Sequence, residues 1–437
     1  MNERQLTQFA DRLERTLSEE ELTQLGRETG LTKRLREVTP HRLAIALLVS
    51  LSCHKTETLS GILRVFNAVT DRAVRYKPFH NQLAKASFPA FTWRLFELLL
   101  DRFVVHVLAP LPKSSLRRFD DIWIQDGSSF ALVDSLQDVY PGRFTKISPA
   151  AVELHATMSV LQDQAITVSL APDSVGEREF LPEPEELRRK LFMADRGYMN
   201  IEYCHAVDAA GGSYIIRFKK GINPVIHQAK VGKKKRPSWA DKSVDEIRDR
   251  LEGKSADLIV SFRNQPTTLR LVFIWNPSRK EHMVLATNLP ADEFDVAAVR
   301  RLYRLRWQIE LLFKEWKSYA NLHSFGTSKK GIAEGLIWAA LSAALLKRFI
   351  GHVTELVVKD VGISTRNVAM AFGYKAEGLL QALLDGHGVR KRLKELVRYL
   401  TENAQRAHPK RDRRTGRLAV GLRAIRLSAS GAALLKN

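Results

Sequence analysis

The stretch FDDIWIQDGSS, residues 119–129, is where the chain changes from helical to strand-like character. Its short, mostly apolar run predicts a strand that ends at Asp126. Two more strands, VELHATMSVL and AITVSLAP, follow it. A second apolar run ending in an acid, LFMAD at residues 191–195, leads through a glycine-closed helix into the strand SYIIRFKK. Three consecutive strands and then alternating helix and strand predict an α/β sheet with helices on its faces.

Helical segments flank this sheet on both sides. Apolar residues recur with helical spacing through residues 1–112 and again through residues 346–437, where the chain is also basic. Between them, strand-like segments interrupt the α/β pattern from about residue 216 to 290. We therefore predict a helical N-terminal region at 1–112, an α/β domain at 113–345 with a β-rich insertion at about 216–290, and a helical, basic C-terminal region at 346–437.

The charge of the chain indicates a polyanionic partner. Its 437 residues include 69 Lys and Arg against 48 Asp and Glu, a net charge of +21. A protein this basic most often binds nucleic acid. The excess is clustered, with eight basic residues and no acid at 217–236 and nine basic residues against one acid at 406–437. Taken singly, each run is equally compatible with a solvated loop or tail. Together they favour contacts with backbone phosphates.

Other features of composition indicate a cytosolic, globular protein. The chain is 45% hydrophobic and contains two cysteines, Cys53 and Cys204, without metal-ligand spacing, so we expect reduced thiols. The N-terminal residues are charged throughout and do not resemble a signal peptide. The apolar stretch GLIWAALSAALL, which starts at Gly335, is too short to span a bilayer and predicts a buried helix. We expect no membrane association.

Asp126 and Asp195 each follow an apolar strand. In α/β sheets, ligands and catalytic groups collect at the carboxyl ends of strands. An aspartate at such a position can equally cap the loop or helix that follows. The pair therefore indicates a catalytic site only together with a third carboxylate.

The third carboxylate comes from YRLRWQIELLFKEWKS, residues 303–318, where we expect one continuous helix from Phe294 to Ser318. At about 100° per residue, Tyr303, Arg306, Glu310 and Lys317 fall on one face of that helix. The apolar residues of the opposite face are Leu305, Ile309, Leu312 and Trp316. The apolar face would dock the helix and leave a polar stripe. The alternative is an ordinary surface ion pair between Arg306 and Glu310, which are four residues apart.

These motifs together resemble a known family. The spacing of Tyr303, Arg306, Glu310 and Lys317 matches the YREK signature of bacterial cut-and-paste DDE transposases of the insertion-sequence-four family. QDGSS around Asp126 is similar to the family's first-aspartate motif, ADRGY around the second aspartate is similar to its second, and ATNLP is similar to the segment that precedes the signature helix. The resemblance covers about residues 115–345. It implies a ribonuclease H-like catalytic domain with a β-rich insertion between the second aspartate and the glutamate.

The resemblance also implies the roles of the site residues. Asp126, Asp195 and Glu310 carry over as the catalytic, metal-binding triad, holding two Mg²⁺ ions for which Mn²⁺ can substitute. Hard carboxylate oxygens suit Mg²⁺, and a pair of such ions serves both ends of an in-line displacement at phosphorus.

The other three residues of the signature would contact DNA rather than metal. Arg306, Lys317 and Tyr303 would hold DNA phosphates beside the scissile bond, without reading sequence. If Glu310 is not the third ligand, Glu315 is the next residue to test.

The implied function is DNA transposition. The protein would cut an insertion sequence at its terminal inverted repeats and join the 3′ ends to target DNA, as a homodimer on paired double-stranded DNA ends in the bacterial cytoplasm and nucleoid. Region 1–112 would recognise the repeats. In relatives that form hairpins an aromatic side chain holds a flipped base, and Trp239 and Trp275 are candidates whose alternative role is core packing. Two other functions stay open, namely a ribonuclease H-like nuclease without strand transfer and a domesticated, non-catalytic DNA-binding protein.

Overall fold

The computed structural model describes residues 1–425 apart from positions 55, 145, 220, 263–264, 320–321, 323–324, 359–360 and 408–419, and at 265–266 it describes the backbone alone. Most of the basic run 406–437 therefore lies outside the described residues.

The chain begins with an array of helices. They are α1 Glu3–Thr16, α2 Glu19–Glu28, α3 Pro40–Ser52, α4 Leu59–Thr70, α5 Tyr76–Leu83 and α6 Ser87–Arg102. Side-chain caps mark several starts: Ser18 accepts a hydrogen bond from the amide of Glu21, and Thr39 accepts one from the amide of Arg42. Pro40 stands at the first position of α3, where its missing amide proton costs nothing. The helical character expected of residues 1–112 is confirmed up to Arg102.

The central sheet starts after a short strand, β1 (Leu108–Pro110). The next elements are β2 Asp121–Ala131, β3 Ala151–Ser159, β4 Gln164–Pro172, β5 Lys190–Ala194, α7 Ile201–Ala209 and β6 Ser213–Arg217. Their order across the sheet is β4-β3-β2-β5-β6. Strands β2, β3 and β4 pair antiparallel, whereas β5 pairs parallel to both β2 and β6. An antiparallel meander continued by two parallel strands is the ribonuclease H-like arrangement, which confirms the expected fold class.

The β-rich insertion extends this sheet instead of forming a separate one. Its elements are β7 Val225–Val231, β8 Lys234–Lys235, α8 Arg248–Leu251, β9 Ala256–Phe262, β10 Gln265–Asn276 and β11 Glu281–Thr287. Strand β11 pairs antiparallel with β6 over Leu285↔Arg217 to Thr287↔Ile215. Within the described residues, the insertion and the ribonuclease H-like strands thus form one sheet of ten strands.

The signature segment is not one helix. It forms α9 (Val296–Tyr303), a 3₁₀ turn at Arg304–Arg306 and α10 (Trp307–Tyr319), so the expectation of a continuous helix from Phe294 to Ser318 is wrong. The tighter turn allows Tyr303 and Leu305 both to be buried, which a regular helix with one apolar face would not. The apolar docking residues behave as expected, since Ile309, Leu312 and Trp316 are all buried.

The chain then continues through α11 Lys330–Val357, α12 Thr365–Ala371, α13 Gly373–Asp385, α14 Val389–Asn403 and β12 Leu422–Ala424. Strand β12 pairs with β1. Helix α11 is long and apolar enough to cross a membrane, but its apolar window is completely buried inside the protein. It is a core helix, as expected of the stretch that starts at Gly335. Helix α11 also runs across the predicted boundary at 345/346, and the division into three regions stays a prediction.

One apolar core joins the helical regions to a face of the sheet. It includes side chains from α1, α3, α6, α11 and α14 together with those of β2 to β5 on the same face. Phe103, which ends α6, stacks on Phe349 of α11 with ring centroids 4.2 Å apart. Gly335 lies so close to Phe88 that a Cβ there would come within 2.3 Å of the ring. A second apolar cluster covers the other face, between α7 and the insertion strands.

Candidate active site

Strand pairing brings Asp126 and Asp195 side by side. The parallel register of β2 and β5 runs from Asp121↔Lys190 to Gln125↔Ala194, and the two aspartates are the next residues on the two strands. Neighbouring strands lie about 5 Å apart, so the two carboxylates share one edge of the parallel pair. Asp195 follows the end of β5 as expected, but Asp126 lies inside β2, which continues to Ala131 because its antiparallel pairing with β3 does not stop there.

The guanidinium of Arg306 joins the first aspartate to Glu310. Its Nη1 donates to Asp126 Oδ2 at 2.7 Å, and its Nη2 donates to Glu310 Oε1. The 3₁₀ turn ahead of α10 carries this arginine, and the first turn of α10 carries the glutamate. Three carboxylates that are far apart in the sequence therefore converge on one region, together with a cation that partly neutralises them.

The surroundings of Asp126 destabilise its charged form relative to an aspartate in water. Burial raises the pKa of Asp126 to about 6, the nearby charge of Arg306 opposes this rise, and the charges of Asp195 and Glu310 add to it. Burial by itself would lower the pKa of Arg306, but the carboxylates, Asp126 first, raise it above its usual value. The site thus concentrates negative charge at a buried position, which is the electrostatic condition for binding a cation.

Tyr303 and Lys317 each contact the strands that carry the aspartates. The Tyr303 hydroxyl lies 3.3 Å from both the Ala194 carbonyl oxygen and Asp195 Oδ1, and its side chain is buried. Lys317 Nζ donates to the carbonyl oxygen of Ser129 at 2.6 Å, and burial lowers the pKa of this lysine. The structure brings all six predicted site residues together, and their chemical roles stay predictions.

The donor set fits Mg²⁺, because Asp126, Asp195 and Glu310 offer hard carboxylate oxygens. Among the described residues, however, no three His, Cys, Asp or Glu side chains already lie close enough together to hold a metal ion. Arg306 lies between Asp126 and Glu310 and occupies the space that a shared cation would need. Coordination by all three carboxylates requires that the guanidinium give up at least one of these contacts.

A second layer of acids lies behind the two aspartate motifs and was not predicted. Glu153 of β3 is buried and its Oε2 lies 3.4 Å from Arg143 Nη2; burial raises the pKa of Glu153 to about 7. A Cβ on Gly127 would come within 2.3 Å of the Glu153 carboxylate, and a Cβ on Gly197 within 1.2 Å of the Glu177 carboxylate. The glycines of both motifs make room for these acids. The signal in the sequence was a glutamate inside the apolar strand VELHATM.

The aromatic side chains beside the site differ from those expected. Trp239 is 5% exposed and packs in the core of the insertion, so the packing role is correct and it cannot receive a base. Trp275 is half-buried and packs edge-on against His282. Trp307, between Arg306 and Glu310 in sequence, is 57% exposed, and its exposed neighbour one helical turn on is Leu311. The sequence analysis placed Trp307 and Leu311 on neither the apolar nor the polar face of the helix.

A basic groove begins next to Asp195. Arg217 Nη1 lies 3.6 Å from Asp195 Oδ1, and Arg217 also lines a cavity of about 500 Å³ whose other walls include residues of β10, β11 and α8. The other charged residues of the lining are the basic Arg196, Lys219, Arg248 and Lys280 and the acidic Asp249, Glu252 and Glu281. Two basic residues of the run at 217–236, Arg217 and Lys219, thus line a concave surface, and Arg217 connects it to Asp195.

Comparisons with known proteins show the family to which the chain belongs. A family model described as a transposase DDE domain matches residues 118–346, just over half of the chain. The transposase for insertion sequence element IS231F of Bacillus thuringiensis subsp. israelensis is 23% identical over 92% of this chain and 93% of its own length.

A shorter match of higher identity is to an Escherichia coli (strain K12) protein, the putative transposase InsL for insertion sequence element IS186A. It is 45% identical over 65 residues, which are 15% of this chain and 18% of that protein. Among solved structures, a cryo-EM structure of the piggyBac transposase synaptic complex with hairpin DNA aligns over 90% of this chain and 83% of its own, with a TM-score of 0.45 and 12% identity.

Proposed function

Because the chain belongs to the family of transposases with a DDE domain and is a DNA transposase, we propose that it cuts an insertion sequence at its terminal inverted repeats and joins the freed 3′ ends to target DNA. The observation that carries this proposal is the convergence of Asp126, Asp195 and Glu310, from two adjacent strands and one helix, around the guanidinium of Arg306. The substrate is double-stranded DNA, and the protein acts in the bacterial cytoplasm, at the nucleoid.

The triad would hold two Mg²⁺ ions, or Mn²⁺ in their place. Such cations supply activation of the attacking oxygen and charge neutralisation at the leaving oxygen of an in-line displacement. Hydrolysis breaks the bond between phosphorus and the 3′ oxygen at the element's end. The freed 3′-OH then attacks a target phosphorus, from which that strand's own 3′ oxygen departs. The buried, charge-dense setting of Asp126 favours cation binding because its carboxylate is poorly solvated.

The remaining residues of the signature position the DNA and the carboxylates. Arg306 is the residue best suited to exchange partners, since its planar fork binds phosphate oxygens as well as it binds carboxylates. Lys317 would contact the neighbouring phosphate as a point charge. The Tyr303 hydroxyl lies 3.3 Å from Asp195 Oδ1 and helps to position that carboxylate. We propose that the same hydroxyl also donates a hydrogen bond to a DNA phosphate.

The basic groove would carry DNA away from the site. Its lysines and arginines contact phosphates, and the exposed Trp307 beside the carboxylates offers a stacking surface. We further propose recognition of the terminal repeats by residues 1–112 and assembly as a homodimer on two paired ends.

The test uses purified protein, Mg²⁺ and a DNA fragment that carries the element's own end with its flank, resolved on a denaturing gel. A cut at the boundary that requires metal, and that an Asp195→Ala variant does not make, is the expected result. Cutting without joining to an added target duplex would favour the alternative of a nuclease without strand transfer. Binding without any cut, with paired ends and with Mn²⁺ also supplied, would leave a non-catalytic DNA-binding protein.

A further inference from the structure

Helix α10 carries a second glutamate that faces away from the carboxylate cluster. Glu315 follows Glu310 by five residues, which at about 100° per residue puts the two side chains about 140° apart around the helix. Glu310 faces the strands that hold the aspartates, whereas Glu315 is buried and binds Arg348 of α11. This contact excludes Glu315 as the alternative third metal ligand.

Arg348 is the centre of a buried network. Its Nη1 donates to Glu315 Oε2 at 2.8 Å, its Nη2 lies 3.0 Å from Asp163 Oδ1, and its Nε donates to the Asp163 carbonyl oxygen. All three side chains are only 6% exposed. His352, one turn further along α11, lies 3.4 Å from the other carboxylate oxygen of Asp163. The network therefore places two buried carboxylates around one guanidinium.

Asp163 connects this network to the catalytic sheet. It lies in the turn between β3 and β4 with a φ of 52°, a left-handed conformation that only a few residue types adopt readily. Strand β3 pairs along its length with β2, which carries Asp126. One arginine therefore ties the sheet that bears the aspartates to the helix that bears the glutamate.

Lys347, which precedes Arg348 in α11, holds the C-terminal end of α10. Lys347 is buried, and its Nζ donates to the carbonyl oxygen of Tyr319, the last residue of α10. On the opposite side, α10 is held by Arg306 against Asp126 and by Lys317 against Ser129. The rotation of α10 about its own axis is thus fixed by contacts at its front and its back.

We propose that Arg348 and Glu315 are positioning residues that set the rotation of α10 and thereby the place of the Glu310 carboxylate relative to Asp126 and Asp195. The inference rests on the proposed function of the triad. A carboxylate about 5–6 Å from a helix axis moves about 1 Å when the helix turns by about 10°. A misplacement of that size at a reacting centre reduces the rate by about 10²-fold.

Burial of this network is not explained by stability alone. Desolvation cancels much of the attraction between buried ions, and well-packed apolar side chains in the same place give equal or greater stability. What the network supplies is a geometric link, because the two nitrogens of one planar guanidinium join Glu315 of α10 to Asp163 of the β3–β4 turn.

The test compares Glu315→Gln with a matched control. The control is Asp257→Asn, because Asp257 forms a similarly buried ion pair with Arg270 in the insertion, without contact to α10. Three quantities are measured for each variant and the wild type: DNA affinity by gel shift, the single-turnover cleavage rate at saturating DNA as a function of Mg²⁺, and Mn²⁺ affinity from the electron paramagnetic resonance of free Mn²⁺.

We expect Glu315→Gln to keep the wild-type DNA affinity, to cleave about 10²-fold more slowly and to bind Mn²⁺ more weakly. Asp257→Asn should match the wild type in all three quantities. If Glu315→Gln does not fold, Arg348→Lys keeps the charge but loses the fork, and it should have the same effect. Equal rates and Mn²⁺ affinities in Glu315→Gln and the wild type, or equal losses in both variants, overturn the proposal. Absence of cleavage by the wild type refutes the proposed function instead, and the Mn²⁺ comparison still tests the positioning role.

Discussion

The two faces of helix α10 present the same chemical arrangement in different surroundings. On the front, Arg306 joins Asp126 to Glu310; on the back, Arg348 joins Asp163 to Glu315. Glu310 is 32% exposed, whereas Glu315 is 6% exposed. Water and ligands can replace a lost partner on the front but not on the back. The same three side-chain types thus form contacts that a ligand can replace on the front face, and contacts that hold α10 in place on the back face.

The largest expected effect is the loss of cleavage when Glu310 is replaced. Glu310→Ala should abolish metal-dependent cleavage and leave DNA affinity and the free energy of unfolding nearly unchanged, because the side chain lies at a partly exposed position. Gel-shift and denaturing-gel measurements on the same preparation check this. Cleavage that survives the change would remove Glu310 from the triad.

The back face should show its importance in stability. Arg348→Met leaves the buried carboxylates of Asp163 and Glu315 without their cation and should lower the free energy of unfolding by about 3–5 kcal/mol. Arg306→Met should lower it by less, since its carboxylates can be hydrated or take up a proton. Urea unfolding of both variants, followed by circular dichroism, measures the difference. An equal loss in the two would mean that the faces do not differ in the way described.

A pH dependence should distinguish the back face further. Burial lowers the pKa of Lys347 from its usual 10.5 to about 8, with the nearby Cys53 and Glu315 opposing the change. Between these two values the unfolded chain binds the proton and the folded one does not, so unfolding free energy rises with pH in that window. Each unit of pKa difference corresponds to about 1.4 kcal/mol, which makes the rise on the order of 3 kcal/mol. Lys347→Met should lack this rise, and the difference between the two unfolding curves from pH 7 to pH 10.5 measures it.

The smallest expected effect belongs to the front face. A cation that binds the folded protein alone stabilises it by about 1.4 kcal/mol at ten times its dissociation constant. Mn²⁺ should therefore raise the melting temperature of the wild type, with no such increase in Asp195→Ala. An equal increase in both proteins would show that the ion binds elsewhere.

The strands of the catalytic sheet could be predicted from the sequence because their signals are local. Asp126 and Asp195 each follow an apolar run, and the apolar face of α10 is visible in the spacing of Ile309, Leu312 and Trp316. The break at Arg304–Arg306 was not visible, since a periodic pattern is summed over both helices as if they were one. Asp126 was expected at a strand end because the pairing that extends β2 beyond it comes from β3, further along the chain.

The contacts on the back face of α10 could not be predicted from the sequence, because they join distant parts of the chain. Arg348 and Asp163 are separated by 185 positions in the chain, and their meeting depends on how α11 packs against the β3–β4 turn. Within GLIWAALSAALLKRFI, an arginine and a lysine in an apolar helix indicated no particular partner. Glu177 was likewise hidden, and Glu153 was visible only as an acid inside an apolar strand. The close approach of these acids to Gly127 and Gly197 shows why those two positions have no side chain.

The pairing of β11 with β6 has a consequence for how far along a DNA duplex the protein can act. Four strand spacings separate β5, which ends beside Asp195, from β9 in the insertion. At about 4.8 Å each these amount to roughly 19 Å, which is the axial length of five to six base pairs at about 3.4 Å per step. Because the strands are hydrogen-bonded without interruption, this distance is a constant of the protein. A duplex that contacted the sheet at both β5 and β9 would therefore do so at points about five to six base pairs apart.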